Sequence, residues 1–365
     1  MARYAVSPAH LEKDKQVVID LWRRNLTDLD LLEEKYDWHF LNNPSGPGQI
    51  WILEANGQPV GTTALGVRPL KLRNKFTAAG VACDLAVDKG HRFLQPAVML
   101  ERAVMSSADA QLQILYGIPN MVSASIMKYV GYREYCPVHR YARVLRVSHY
   151  LRRFAKFSEK LPAMEKMADR AFSALQSIRR SRDKAVVQVL PTFDERFDEL
   201  WSRLSSEHST LTIRDRHFLK WRYLDCPLHQ YKTLGLLTED GSNLLGYLIY
   251  YVEDSSAHCA DLCAAGGAED LQCLLFSWAA LAYNDGLASL SISCSDAALA
   301  TNLLRQGFSR RSVQFMGQFT GQFAGKPGRK PPREQCKALL THERFSGMNS
   351  PPTDNWYYTD GDFPY

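Results

Sequence analysis

The chain has 365 residues, of which 45% are hydrophobic and 23% charged, and its net charge is +5. That is enough apolar material for two cores of ordinary size, and no run of eighteen apolar residues offers itself as a membrane span. The opening MARYAVSPAHLEKDKQ lacks the apolar stretch of a secretory signal, so a cytoplasmic globular protein is expected.

In chain order, residues 35–44 (KYDWHFLNNP) read as a helical stretch closed by Pro44. Residues 50–70 then read strand, turn, strand, with Asn56-Gly57 at the turn because both residues tolerate positive φ. The next strand ends in Cys83-Asp84-Leu85-Ala86-Val87 and runs through a loop into an amphipathic helix, PAVMLERAVMSSA at 96–108. A short apolar strand, LQILYGI (112–118), is followed by Asn120, an N-cap by type. The helix it opens ends in KYVGY, where Gly131 is the expected C-cap before a last strand.

The same order returns in the second half. FLKWRYLDCP (218–227) matches KYDWHFLNNP with Trp221 for Trp38 and Pro227 for Pro44, both at an offset of 183. A strand, the Asp240-Gly241 turn and another strand follow, then Asp261-Leu262 in answer to Asp84-Leu85. The helix at 269–286, the strand at 287–293 and the closing RQGF (305–308) complete the echo, which reads as an internal duplication.

Between the copies, Arg143 to Lys184 holds twelve Lys and Arg against four acids, so the rest of the chain is slightly acidic. This segment reads as basic amphipathic helices. They are either a solvated connector or a surface for anionic lipid, a carrier protein or RNA; DNA is not expected. After 320 the composition turns to Gly, Pro and polar residues, and the aromatic close NSPPTDNWYYTDGDFPY is expected to dock on the body. The eight cysteines lack a disulfide framework and read as free thiols; Cys259, Cys263 and His258 lack a second ligand pair, and no metal is expected.

The element order, the strand ending in DLAV, the Arg-led loop and KYVGY resemble the GNAT superfamily of acyl-CoA-dependent N-acyltransferases, over residues 15–145 and more faintly 186–320. The resemblance implies an α/β (α+β) protein of two GNAT-like lobes. Each would be a mixed, mostly antiparallel sheet with a splayed central parallel pair flanked by helices. The expected division is a donor-binding lobe (1–146), a basic helical connector (147–185), a degenerate second lobe (186–320) and a C-terminal tail packing on the body (321–365).

In such proteins the strand corresponding to Cys83–Val87 parts from its neighbour, here 112–118, and acyl-CoA lies in the gap. The resemblance therefore implies pantetheine contacts at Leu85, Ala86 and Val87, and at Asn120. The superfamily's pyrophosphate loop, Arg/Gln-x-x-Gly-x-Gly/Ala, falls on Arg92-Phe93-Leu94-Gln95-Pro96-Ala97. Its Arg and final small residue are kept. Gln95 replaces a glycine and Pro96 removes one N–H donor, so either the loop is reshaped or anion binding is weakened. In the second half there is no such arginine, and Glu269-Asp270 would repel a pyrophosphate.

Amine acylation needs a base, a polarised thioester carbonyl and a proton for the departing thiolate. The superfamily's usual tyrosine acid falls on Met127, which carries no proton; Tyr129 and Tyr132 lie on other faces. Asp84 is the first candidate for the base, with a purely structural polar role as its alternative, and His39 is the second. The expected activity is transfer of an acyl group, acetyl first, from acetyl-CoA or another acyl-CoA to an amine of a small molecule or activated sugar. An acyl-carrier-protein thioester is an alternative donor. A Fem-type aminoacyl-tRNA-dependent peptidyltransferase and a non-catalytic binding protein are the other classes. No G-x-S-x-G, Walker or dinucleotide motif is present.

Overall fold

The computed structural model describes residues 2–26, 30–146, 185–311, 337–343 and 356–363. Strand β1 (Tyr4–Pro8) leads to helix α1 (Lys15–Asn25) and to the short α2 (Leu32–Tyr36), which tightens into a π turn at Asp37–Leu41. Strands β2 (Gln49–Ala55), β3 (Gln58–Leu72) and β4 (Lys75–Val87) form a meander. A 3-10 turn (Lys89–His91) then precedes α3 (Leu94–Ser107), β5 (Leu112–Gly117), α4 (Met121–Val130) and β6 (Arg133–Val144).

From residue 185 the order recurs. It runs β7 (Ala185–Leu190), α5 (Glu195–Glu207), the two-residue β8 (Leu211–Thr212), α6 (Arg216–Leu219) and a second π turn at Lys220–Leu224. Next come β9 (Lys232–Thr238), β10 (Leu244–Glu253), β11 (Ser256–Ala264), α7 (Ala268–Asn284), β12 (Ser289–Cys294), α8 (Ala297–Arg305) and β13 (Ser309–Arg311). Strand β14 (Lys337–Glu343) and a 3-10 turn at Asp360–Asp362 belong to the tail.

Two mixed sheets flanked by helices share β6, in the order β1-β2-β3-β4-β5-β14-β6-β12-β11-β10-β9-β7. Only β4/β5 and β11/β12 run parallel among the described pairs. The first hairpin turns on Asn56 (φ 51°) and Gly57 (φ 77°), both in the left-handed region that a two-residue turn of this hand requires. Helix α1 buries Val18, Ile19, Leu21 and Trp22 on one stripe, so one face of the first sheet is covered by α1, α2 and Phe40. The other face is covered by α3 and α4 through Leu100, Val104 and Met127.

One feature of the tail was not foreseen. Residues 337–343 are not packed on the outside; they form β14 in the middle of the sheet, bonded on one side to β5 and on the other to β6. Two neighbouring strands that do not pair with each other leave two rows of backbone donors and acceptors, and a third strand satisfies both. Residues 356–362 are buried almost throughout. The basic segment lies outside the described residues from 147 onward. Its first members serve the fold: Arg143 sits in β6, and Arg146 donates to the Tyr283 carbonyl (2.8 Å) with its guanidinium over the Tyr283 ring.

Candidate functional site

The site begins at an irregularity between β3 and β4. Thr62 pairs with Ala86 and Ala64 with Cys83, so Thr63 alone faces the two residues Asp84 and Leu85. This β-bulge takes a residue out of the ladder and re-aims its neighbours. Asp84 adopts φ 50°, a conformation that costs a non-glycine residue energy and persists only where the surroundings impose it. The alternation of faces breaks here: Cys83 packs on the α1/α2 side and Leu85 on the α3/α4 side.

The bulge coincides with the fork. Strand β4 pairs with β5 from Ala78–Leu112 to Val81–Tyr116, and no pair is formed beyond that point. Past the fork a cavity of about 460 Å³ opens, walled by Ala82 to Leu85, by Gly117 to Asn120, and by Thr63, Glu101 and Met127, with Lys35 and Phe363 also in its lining. A second, more open hollow of about 480 Å³ shares Leu85, Asn120 and Ser123 with it and adds Asn25, Ala86, Val87 and Arg92.

On the α1/α2 side, the Asp84 carboxylate accepts from Lys35 Nζ at 2.8 Å, and both side chains are under a tenth exposed. The Lys35 ammonium also lies 5.1 Å from the centre of the Trp22 ring. Cys83 beside them has its thiol pushed far up by burial, which makes it a poor nucleophile. On the α3/α4 side stands Glu101, 2% exposed. The Thr63 hydroxyl donates to its Oε1 at 3.0 Å, and Oε2 has no hydrogen-bond partner among the described residues. Burial pushes this carboxyl up to about 7, with the Thr63 bond pulling the other way.

The loop after β4 is reshaped. Gln95 is the second residue of α3 and does not use positive φ, so the turn is made earlier, at Lys89–His91. Pro96 sits in the first helical turn, where a missing N–H is tolerated. Arg92 folds back: its Nε donates to the Val87 carbonyl at 2.8 Å and an NH2 to Asn25 Oδ1 at 2.9 Å, bracing the end of β4. Asp88 next to it accepts from Arg24 and Asn25. Phe93, Leu94 and Gln95 are exposed at the helix start, while Pro96 and Ala97 are buried beneath it. Asn120 caps α4 by accepting from the N–H groups of Val122 and Ser123, both at 3.0 Å.

The structure thus brings Asp84, Leu85, Ala86, Val87, Arg92 and Asn120 around the two connected hollows. His39 is elsewhere. Its ring is fully buried between Trp38, Phe40 and Trp221, and burial, then Arg68, Lys35 and Arg222, keep it neutral. Gly66 makes room for it, since a Cβ there would collide with Nε2.

The second half has a fork too, and it is filled. Strands β11 and β12 pair only from Ser256–Ser289 to Cys259–Ile292. Past that point the tail enters: Thr359 bridges Cys294, and the Tyr357 hydroxyl donates to the Leu262 carbonyl at 2.6 Å. Asp261, the counterpart of Asp84, is held by Arg214 at 3.0 Å, and Arg214 in turn holds Asp362 at 2.9 Å. No group of three metal-ligating side chains exists among the described residues, and Cys259 and Cys263 are buried free thiols. No helix among the described residues is long and apolar enough to cross a membrane.

No family model matches the sequence, and no curated protein matches it significantly. Solved structures do. The chain is similar to a GCN5-related N-acetyltransferase from Anabaena variabilis ATCC 29413, at 11% identity and TM-score 0.62, over 94% of this chain and 73% of that one. It is similar also to a conserved Enterococcus faecalis V583 protein, a probable N-acyltransferase (10%, 0.61, 94% and 72%). A GCN5-related N-acetyltransferase from Kribbella flavida matches at 11% and 0.54, over 93% and 71%. The fold is that of the GNAT proteins.

Within this GNAT fold, sequence reasoning missed Glu101, Thr63 and Lys35. A signal for Glu101 was available. With Ala97 four residues before it and Val104 three after, Glu101 lies on the apolar stripe of its helix, where a carboxyl is out of place. Nothing local marks Lys35 or Thr63, because their roles depend on a bulge formed by distant pairing.

Proposed function

We propose that the protein is an acyltransferase that moves an acyl group, acetyl first, from acyl-CoA to a primary amine of a small molecule or activated sugar. The observation that carries this reading is the asymmetry of the two forks: the first opens into a cavity and the second is filled by the chain's own tail. In the first, the outer hollow between Arg92, Asn25 and Asn120 would take the diphosphate end of the donor. Arg92 lines that hollow and supplies positive charge. The bulged strand at Leu85–Val87 would take the pantetheine arm, and the inner cavity the thioester.

Asp84 is committed to Lys35 at the acceptor side of the cavity. In this reading the pair orients the incoming amine and keeps water out, and its strained backbone is what turns it toward the fork. His39 is fully buried and does not line the cavity. The second half closes one wall through Leu228, and the tail another through Phe363.

Calorimetric titration with acetyl-CoA, longer acyl-CoAs and an acyl carrier protein bearing the same pantetheine arm tests the donor. Thiol release over a panel of primary amines then tests the transfer. Micromolar binding of at least one thioester donor is expected, weakened about tenfold or more in Arg92→Ala through loss of a charged contact. Absence of binding by every donor sinks the reading.

A further inference from the structure

Under the bulge, Glu101 is a buried carboxyl that the fold does not need. It makes one hydrogen bond, from Thr63; its Oε2 is buried without a partner among the described residues, and the residue lines the fork cavity. A glutamine or leucine would satisfy the packing of α3 at less expense, because a buried carboxyl with one oxygen unmatched is destabilising. Across the same cavity, Met127 offers no proton at all.

We propose that Glu101 is the proton donor of the site, delivering the proton on Oε2 to the sulfur that departs when a thioester is cleaved in the fork cavity. This rests on the acyl-transfer reading above. In the step, the free amine nitrogen bonds to the carbonyl carbon and the C–S bond breaks with its electron pair on sulfur. The Glu101 proton passes to that sulfur, giving the free thiol and a Glu101 carboxylate. The proton shed by the acylated nitrogen then restores the acid through solvent.

The energetics agree. With its affinity for a proton raised to about 7, about half of Glu101 still holds its proton at neutral pH. A thiol holds its proton up to about 8.5, so transfer from the carboxyl to the thiolate runs downhill. The charged groups that line the same cavity are Asp84, bonded to Lys35, and Asp30. Thr63 on β3 and Ser123 and Met127 on α4 are neutral.

The test is calorimetry of acetyl-CoA binding at pH 7 in two buffers of different ionisation enthalpy, which counts protons taken up with the ligand. Donor binding fills the cavity beside Glu101 with the apolar part of the donor and lowers the polarity around the carboxyl further, so the wild type should take up a fraction of a proton. Glu101→Gln keeps the shape and the Thr63 bond; it should take up none while binding within a few-fold. Thiol release from acetyl-CoA should be on the order of 10²-fold slower in Glu101→Gln. It should also lack the wild-type decline of about tenfold per pH unit above 7 that titration of a single acid produces. Equal proton uptake by both proteins, or equal thiol release by both, overturns the proposal and leaves the acyl-CoA reading standing. No binding of acetyl-CoA by the wild type removes both.

Discussion

Trp38 and Trp221 exchange hydrogen bonds across the molecule: Trp38 Nε1 donates to the Trp221 carbonyl at 2.8 Å and Trp221 Nε1 to the Trp38 carbonyl at 3.1 Å. Their rings stack with centroids 5.0 Å apart. Each sits in the π turn of its own half, 183 residues from the other, so the two copies of one sequence signature meet face to face. A π turn leaves one carbonyl per turn out of the helical ladder, and here each such turn lends a carbonyl to the opposite indole.

The pair should therefore behave as one unit. Trp38→Ala and Trp221→Ala are each expected to cost about 3–5 kcal/mol, the range for a deleted buried aromatic. The double variant should cost well short of the sum, with a coupling of about 1–3 kcal/mol, because either single change already leaves the partner's carbonyl without its donor and removes the ring stack. Urea unfolding of the four proteins measures it, and strict additivity would contradict the unit.

Gly66 is the residue that admits His39 to the core. A Cβ at 66 would collide with Nε2 of a ring already fixed by Trp38, Phe40 and Trp221. Gly66→Ala should destabilise by at least about 2 kcal/mol, as overpacking does. The double change Gly66→Ala with His39→Ala should recover part of that loss. Thermal unfolding decides it; a single Gly66→Ala as stable as the wild type would mean the ring has room to move.

The tail should be held by charge as much as by its aromatics. Asp362 accepts from Arg214 at 2.9 Å and from the Thr359 N–H at 2.9 Å, both deeply buried. Asp362→Asn removes one carboxylate from a buried arginine and is expected to cost about 3–5 kcal/mol. Protease cleavage near residue 356 should accelerate in step, since the plug of the second fork depends on that contact. Unchanged cleavage would place the hold in Trp356 and Tyr358 instead.

Much of this architecture was legible because it is local. Asn56-Gly57, Asn120 and Gly131 each announce a turn or cap by their own φ preference, and the Trp38/Trp221 signature recurs at constant offset. Gln95 takes the glycine conformation only at a cost, and in the structure it does not use positive φ. What the sequence could not show is non-local. The bulge at Asp84 exists only against Thr63, and β14 has no meaning until β5 and β6 leave a slot for it. Lys35 finds Asp84 across 49 residues. His39 looked like a candidate base because a histidine alone does not reveal whether it is wet or packed.

Acid should weaken the fold through histidines held neutral. Burial, then Arg140, push His258 down to about 4, and burial holds His39 well below its ordinary value. The unfolded chain takes up these protons near pH 6.5 and the native chain does not, so stability falls as pH drops from 6.5 toward 4. For His258 alone the loss is about 3 kcal/mol over that window. His258→Gln should remove about one proton's worth of slope from the acid limb of unfolding free energy against pH. An unchanged slope would show that His258 protonates in the native state.

Glu101 should impose the opposite slope. The unfolded carboxyl loses its proton near 4.5 and the native one near 7, so between these values the native state binds more protons. Stability from this group is then full below pH 4.5 and lost as pH rises through 7, by about 3 kcal/mol in all. Glu101→Gln carries no such term. Whatever constant offset its amide introduces, the difference between variant and wild type should shift by about 3 kcal/mol in favour of the variant between pH 4 and pH 8. Urea unfolding across that range reads the shift directly. A difference that stays flat would mean Glu101 ionises natively near its ordinary value, and a carboxylate of that kind could not keep a proton for a departing sulfur.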